Sequence, residues 1–320
     1  MTRRVLLAGA TGTIGRAVAA ELVARGDEVL ALVRGEPEAL AERLPGCTLR
    51  RAELTDAASV RAALRGERAD AIVSCVASRT GVPEDAWAVD HRANQGLLAC
   101  AEEVGATCFV LLSAICVQKP QLAFQHAKLA FEAELQAHGI DYAIVRPTAF
   151  FKSISGQIAR VREGKPFFLF GDGTDIACKP ISDADLARYV VDSLGDPARH
   201  GKILPIGGPG PALTPRDQGM ILFELTGREP RFRRVPRGIF RAALTLLVPL
   251  GRLSPGLAAK AELARIGRYY ASESMLVWDA ERKRYDADAT PETGTETLRD
   301  YYARVLADDL PDERGAHAIL

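Results

Sequence analysis

Ser113 and Lys128 are the two residues of this chain whose type and setting suit reductive chemistry. Ser113 closes an apolar run of strand length, Cys108-Phe-Val-Leu-Leu. Lys128 follows on a segment that reads as a helix from about residue 121 to 138. In doubly wound reductases such a serine and lysine act with a tyrosine four residues before the lysine, one helical turn away. The phenol gives a proton to the alkoxide that forms as hydride reaches carbon. Here that position holds Phe124, and no Tyr-x-x-x-Lys occurs elsewhere. A phenyl ring neither donates a proton nor steadies an oxyanion, so carbonyl–alcohol interconversion is not expected. Hydride addition to a conjugated carbon–carbon double bond is, because the carbanion it leaves can delocalise. Lys128 would then bind the nicotinamide ribose hydroxyls and oppose the developing negative charge. The bland alternatives are a solvated helix lysine and a core phenylalanine.

A cofactor site must present its hydride to these residues, and the first turns of the chain supply one. Val5 to Ala8 form an apolar strand; Gly9, Gly12 and Gly15 follow at G-x-x-G-x-x-G spacing; a helix then carries Val18, Ala19 and Leu22 on one face. Strand, glycine turn and helix are the setting a dinucleotide fingerprint requires. Gly9 permits the tight turn, Gly12 the close approach of pyrophosphate, and Gly15 the packing of helix on strand. The helix N-terminus offers free N–H groups to phosphate. Glu28 to Val33 form the second strand, and Arg34 stands at its end where NAD-specific folds carry an acid. A guanidinium suits the 2′-phosphate of NADP; Arg16 is a second candidate. Cofactor contacts are expected from Gly9, Thr11, Gly12, Thr13, Ile14, Gly15, Arg34, Cys75, Ala77, Ser113, Lys128, Pro147 and Thr148.

Strands at about residues 47–52, 69–78, 108–113 and 142–147, with helices between them, complete an α/β, doubly wound parallel sheet of the Rossmann type. A single long helix is expected over 84–105, and Asp56 is expected to cap the helix that follows it. Residues 1–150 then form the NADP-binding domain. Residues 151–320 form a smaller substrate lobe, parts of which fold back onto the sheet. Within it, 150–164 reads as one helix, 167–170 as a strand, 181–194 as an amphipathic helix, and Thr214 as the cap of a helix ending at Gly227. Residues 237–252 have an apolar centre between basic flanks. Two readings stay open for them, a buried helix of the second lobe and a lid or membrane-surface helix. Residues 308–320 read as a polar tail.

The formal charge is +0 and the pI about 7.0, which gives no reason to expect a nucleic-acid partner. The six cysteines include no C-x-x-C pair, so no zinc or thioredoxin-like site is expected; most lie in apolar runs as reduced core residues. The chain opens directly into a strand, with no signal-peptide pattern, and no apolar run approaches the roughly 18 residues of a membrane span. The expected location is cytoplasmic; the membrane-surface reading of 237–252 would add peripheral contact.

The block at 109–128 (FVLLSAICVQKPQLAFQHAK) resembles divinyl chlorophyllide 8-vinyl-reductases of the atypical short-chain dehydrogenase superfamily. So do 145–155 (VRPTAFFKSIS), 170–173 (FGDG), 179–183 (KPISD) and 272–279 (SESMLVWD). The resemblance implies an NADPH-dependent enzyme of (bacterio)chlorophyll synthesis that reduces the 8-vinyl group of a divinyl chlorophyllide or protochlorophyllide to ethyl. It implies hydride addition at the terminal vinyl carbon, with the charge spread into the macrocycle and a proton following at the inner carbon. Phe124, Phe150, Phe151 and Lys152 are then expected to meet substrate, and the apolar stretches at 167–170 and 239–250 to line a tetrapyrrole pocket. Lys152, Lys179 or Arg160 would pair with the propionate, and His126 would approach the central magnesium. Two rivals stand beside this reading: an isoflavone-reductase-like alkene reductase, and a non-enzymatic NADP-sensing or assembly protein that keeps the glycine loop.

Overall fold

The computed structural model describes residues 2–307; the tail expected at 308–320 lies outside them. The described residues form two compact units, one of residues 2–78, 83–147 and 183–204, the other of 79–82, 148–182 and 205–307.

The first unit is built on apolar strand runs that alternate with amphipathic helices. Strand β1 (Arg4–Ala8) leads into helix α1 (Thr13–Ala24), then come β2 (Glu28–Val33), β3 (Cys47–Arg51), α2 (Ala57–Ala63) and β4 (Ala71–Ser74). The Asp56 side chain accepts from the Ala58 N–H at 2.9 Å and so caps α2 as its sequence predicts. Beyond β4 the expected single helix is broken into segments. Pro83–Ala86 is α-helical, Trp87–Ala93 is π-helical, and Asn94–Ala99 (α3) resumes the ordinary ladder. β5 (Cys108–Leu112), α4 (Ala123–His138) and β6 (Asp141–Pro147) complete the alternation.

The sheet runs β3-β2-β1-β4-β5-β6, and a seventh strand, β8 (Lys202–Ile206), extends it beside β6. β1 to β6 pair in parallel. The strand order reverses between β1 and β4, and this is the edge-on crevice where doubly wound sheets bind ligands. Leu6, Leu30, Ile72, Phe109 and Ile144 from the strands pack with Leu97, Phe131 and Leu135 from the helices, all at 3% exposure or less. Helix α5 (Asp183–Asp192) and most of β8 belong to this unit, although both lie past Pro147 in the chain.

The second unit has its own core. The residues expected as one helix at 150–164 form instead a 3-10 turn, Phe151–Ile154, and a short helix, Ile158–Arg162. Strand β7 (Phe167–Phe170) pairs in parallel with β9 (Phe232–Val235). Helix α6 (Pro215–Thr226) carries the predicted Thr214 cap and ends at Gly227. Phe151, Phe167, Leu222, Phe223 and, from the last helix, Tyr302 are buried together. Two further helices, Gly238–Gly251 (α7) and Pro255–Tyr270 (α8), pack against each other as a hairpin.

Candidate active site

The glycine turn has the form a bound dinucleotide needs. Gly9 adopts φ +79°, a left-handed conformation, and a Cβ there would lie 2.6 Å from the Cys75 carbonyl oxygen. A Cβ on Gly15 would stand 2.1 Å from the Gly9 oxygen. Neither position admits a side chain. β1 and β4 are stitched at this point by the Cys75 N–H, which donates to the Ala8 oxygen at 2.9 Å. Gly12 is the N-cap of α1 and supplies no capping side chain, so the helix end keeps N–H groups for an anion. This cradle, open where phosphate must come and closed to side chains elsewhere, fits an NAD(P)H pyrophosphate. Thr11 and Thr13 flank it half-buried, and Ile14 is buried under it. Arg34 is exposed one residue past β2 and makes no ion pair among the described residues, while the nearby Glu36 is taken by Arg51 at 2.5 Å. Ala77 is exposed beyond β4. Desolvation pushes the Cys75 thiol up to about 12, with the Lys128 charge opposing it, so Cys75 contributes shape rather than thiolate chemistry.

Ser113 and Lys128 each belong to a buried polar cluster. Gln125 sets the start of α4: its Oε1 accepts from the Gln121 and Leu122 N–H groups at 2.7 and 2.9 Å, and its Nε2 donates to the Cys116 oxygen at 3.0 Å. One turn on, Lys128 is 8% exposed and its Nζ lies 3.0 Å from Asp90 Oδ1. Asp90 sits in the π-helical segment at 1% exposure, and its Oδ2 has no hydrogen-bond partner among the described residues. π-Helical turns recur at functional sites. Asn94 donates from Nδ2 to the Asp90 carbonyl at 3.0 Å and accepts from the Ser74 hydroxyl, which ties that turn to the end of β4.

A turn beyond Lys128 stands Glu132, 1% exposed. It is gripped by Arg146 from β6 through Nε, at 3.2 Å, and Nη2, and it accepts the hydrogen of Ser113 Oγ. With its proton committed to a carboxylate, Ser113 presents lone pairs outward and acts as an acceptor. Phe124 is half-buried and stands outside the hydrophobic core.

Other candidates fare differently. Phe151 is 2% exposed and its ring packs on Tyr301 at 5.3 Å, inside the second unit's core. Lys179 is engaged by the Thr290 oxygen and Glu292, each at 3.2 Å, and Arg160 by the Pro166 oxygen at 2.7 Å and the Phe168 ring. Thr148 is buried, with its hydroxyl on the Lys179 oxygen. Pro147 is buried at the end of β6, Phe150 is half-buried, and Lys152 is half-buried and partnered. His126 is exposed. The partners that sequence reading missed are Asp90, Glu132 and Arg146. Of the three, Glu132 carried a signal, its i, i+4 spacing from Lys128, which puts a carboxylate on the helix face that must be buried.

The parallel sheet with its switch-point glycine turn, together with a lysine in the second turn of α4 and a serine just past β5, defines an NAD(P)H-binding oxidoreductase of short-chain dehydrogenase architecture. Residues 9–197 match a family described as NAD(P)H-binding. Two plant proteins named divinyl chlorophyllide a 8-vinyl-reductase, chloroplastic, are similar along nearly the whole chain. The one from Oryza sativa subsp. indica is 47% identical, covering 96% of this chain and 79% of its own length. The one from Arabidopsis thaliana is 43% identical, covering 96% and 77%. The chain belongs to the divinyl chlorophyllide a 8-vinyl-reductase family. The fold is shared with the NADPH-dependent quinone oxidoreductase QOR2 of Escherichia coli, at a TM-score of 0.70 and 19% identity over 94% of this chain and 99% of that one.

Proposed function

We propose that this chain reduces the 8-vinyl group of 3,8-divinyl chlorophyllide a, or of its protochlorophyllide precursor, to an ethyl group in (bacterio)chlorophyll synthesis. When bound, NADPH supplies the hydride. The observation that carries the reading is Phe124 in the place of an acid, beside a Lys128 that is buried and paired. A site so built binds and orients, but it lacks a phenol to protonate an oxygen. It suits a carbon acceptor whose excess electrons the tetrapyrrole absorbs.

The residues divide the work. The turn from Gly9 to Gly15, with Thr11, Thr13 and Ile14 in it, holds the pyrophosphate. The unpaired, exposed Arg34 supports NADPH over NADH, because its fork can meet two oxygens of a 2′-phosphate. Lys128 gives one N–H to Asp90 and turns the others to ribose hydroxyls. The Asp90 carboxylate offsets much of its charge, so Lys128 works more by hydrogen bonding than as a lone cation. Ser113 accepts a hydrogen bond at the end of β5 and does not donate the second proton, which comes from water. Cys75, Ala77, Pro147 and Thr148 bound the cofactor, while Phe124, Phe150 and Lys152 remain the proposed pigment contacts. The enzyme works as a peripheral protein at the photosynthetic membrane. Among the described residues no helix is long and apolar enough to cross a membrane.

The test is optical. Protein, NADPH and divinyl chlorophyllide are mixed, and the Soret band should shift as the 8-vinyl group leaves conjugation. Bound NADPH with an unchanged pigment spectrum would favour a cofactor-binding assembly protein instead.

A further inference from the structure

Helix α7 is apolar except for Arg241 and Thr245, yet none of its residues is buried. One face leans on α8. A Cβ on Gly267 would meet the Phe240 ring at 2.8 Å, and one on Gly251 would meet Ala258 Cα at 3.0 Å, so the two glycines let the helices close at both ends of the hairpin. The other face points outward and carries a stripe at helical spacing. Ile239, Leu246 and Leu250 are 54%, 67% and 44% exposed, and Leu253, just past the helix, is 82% exposed. Leu263 of α8 adds a fifth exposed side chain.

The segment that carries this stripe is basic. From Arg231 to Tyr270 the chain carries nine arginines and lysines against a single carboxylate, Glu262, although the whole protein is formally neutral. Glu262 is buried and paired with Arg265 at 2.7 Å. Arg237 is paired with Asp175. Arg241, Arg252, Lys260 and Arg268 are exposed.

We infer that the α7–α8 hairpin is a docking surface for an anionic lipid bilayer, with the leucine stripe entering the acyl boundary and the cations meeting headgroup phosphates. This rests on the reading above that the enzyme works at a membrane surface, and it identifies the part that does so. A helix of this length, about 21 Å, is too short to cross a bilayer and suited to lying in its plane. Arginine and lysine stems can lie along the apolar stripe while their heads reach outward. Charge selects the occupant. A second copy seated on the same stripe would set arginine rows against arginine rows with no carboxylate to oppose them. An anionic surface complements them.

The full chain is tested by flotation with vesicles of phosphatidylcholine alone and of phosphatidylcholine with phosphatidylglycerol. The protein should float with the mixed vesicles, and salt should release it. Leu246→Glu with Leu253→Glu, and separately Arg241→Glu with Arg252→Glu, should each lower the partition coefficient about tenfold. Melting temperature and NADPH affinity should stay unchanged. Should the leucine pair fail to fold, a dansyl group on Leu253→Cys should blue-shift on mixed vesicles only. Flotation that survives both pairs of substitutions, or an unmoved dansyl spectrum, overturns the hairpin assignment while leaving peripheral binding intact. No flotation with any vesicle overturns both. A concentration-dependent dimer that dissociates in the leucine variant shows a self-interface and also overturns the lipid reading.

Discussion

Lys128 is held by one carboxylate, Asp90, while the serine that accompanies it is held by another, Glu132. On the proposed reading its ammonium donates to the cofactor ribose hydroxyls. Lys128→Ala should lower kcat about a hundredfold, in the range found when one preorganised donor is removed, with a smaller change in the pigment KM; near-normal turnover would remove its role. Phe124→Tyr should give no gain in vinyl reduction, since no oxygen awaits a proton. Steady-state assays with the purified pigment decide both. Arg34→Ala should raise the NADPH Kd by tenfold or more, corresponding to the loss of a charged hydrogen bond of about 1.5–3 kcal/mol. NADH binding should hardly move. Titration calorimetry with the two cofactors separates the outcomes, and equal weakening would end the 2′-phosphate assignment.

The elements that carry these residues were legible to different degrees. Strands β1, β2, β4, β5 and β6 could be read because each holds a continuous apolar run, and the glycine motif marked where the sheet reverses. The break in the helix after β4 could not, because a π turn inserts a residue without a Pro or Gly to mark it. Asp90 was hidden with it. The split of 150–164 into two short pieces was equally silent, since the Phe150-Phe151 pair and Ile158 look helical until Phe151 is seen to fill a core. Arg146 and Glu132 lay in plain view, but sequence cannot say which charges meet. Because Asp90 and Glu132 are both buried, removing either leaves a cation without its partner. Asp90→Ala and Glu132→Ala should each cost about 3–5 kcal/mol of stability, read by urea unfolding. Adding Lys128→Ala to Asp90→Ala should recover part of the loss, and strict additivity would show that the pair contributes nothing.

At the scale of the whole molecule, two carboxylates of the second unit contribute to its response to acid. The Asp300 carboxyl lies below its ordinary value because the Thr297 hydroxyl donates to it while capping the last helix. Hydrogen bonds from Arg237 hold Asp175 low in the same way. A folded value below the unfolded one means stability that is complete above the usual carboxylate range and is lost as pH falls through the folded values. Melting temperature should therefore be flat from neutrality to about pH 5 and fall below pH 4. Asp300→Asn should flatten that fall, and an unchanged acid slope would exclude its part. At the same scale lies the reaction itself, one addition of hydride to a carbon that is conjugated with the macrocycle. The most direct test uses NADPH carrying deuterium at the transferable position, with divinyl chlorophyllide, and locates the label in the product by mass spectrometry and NMR. The account predicts one deuterium on the terminal carbon of the new 8-ethyl group, with the inner-carbon hydrogen drawn from water. Deuterium on the inner carbon, or an unlabelled ethyl group, would contradict it.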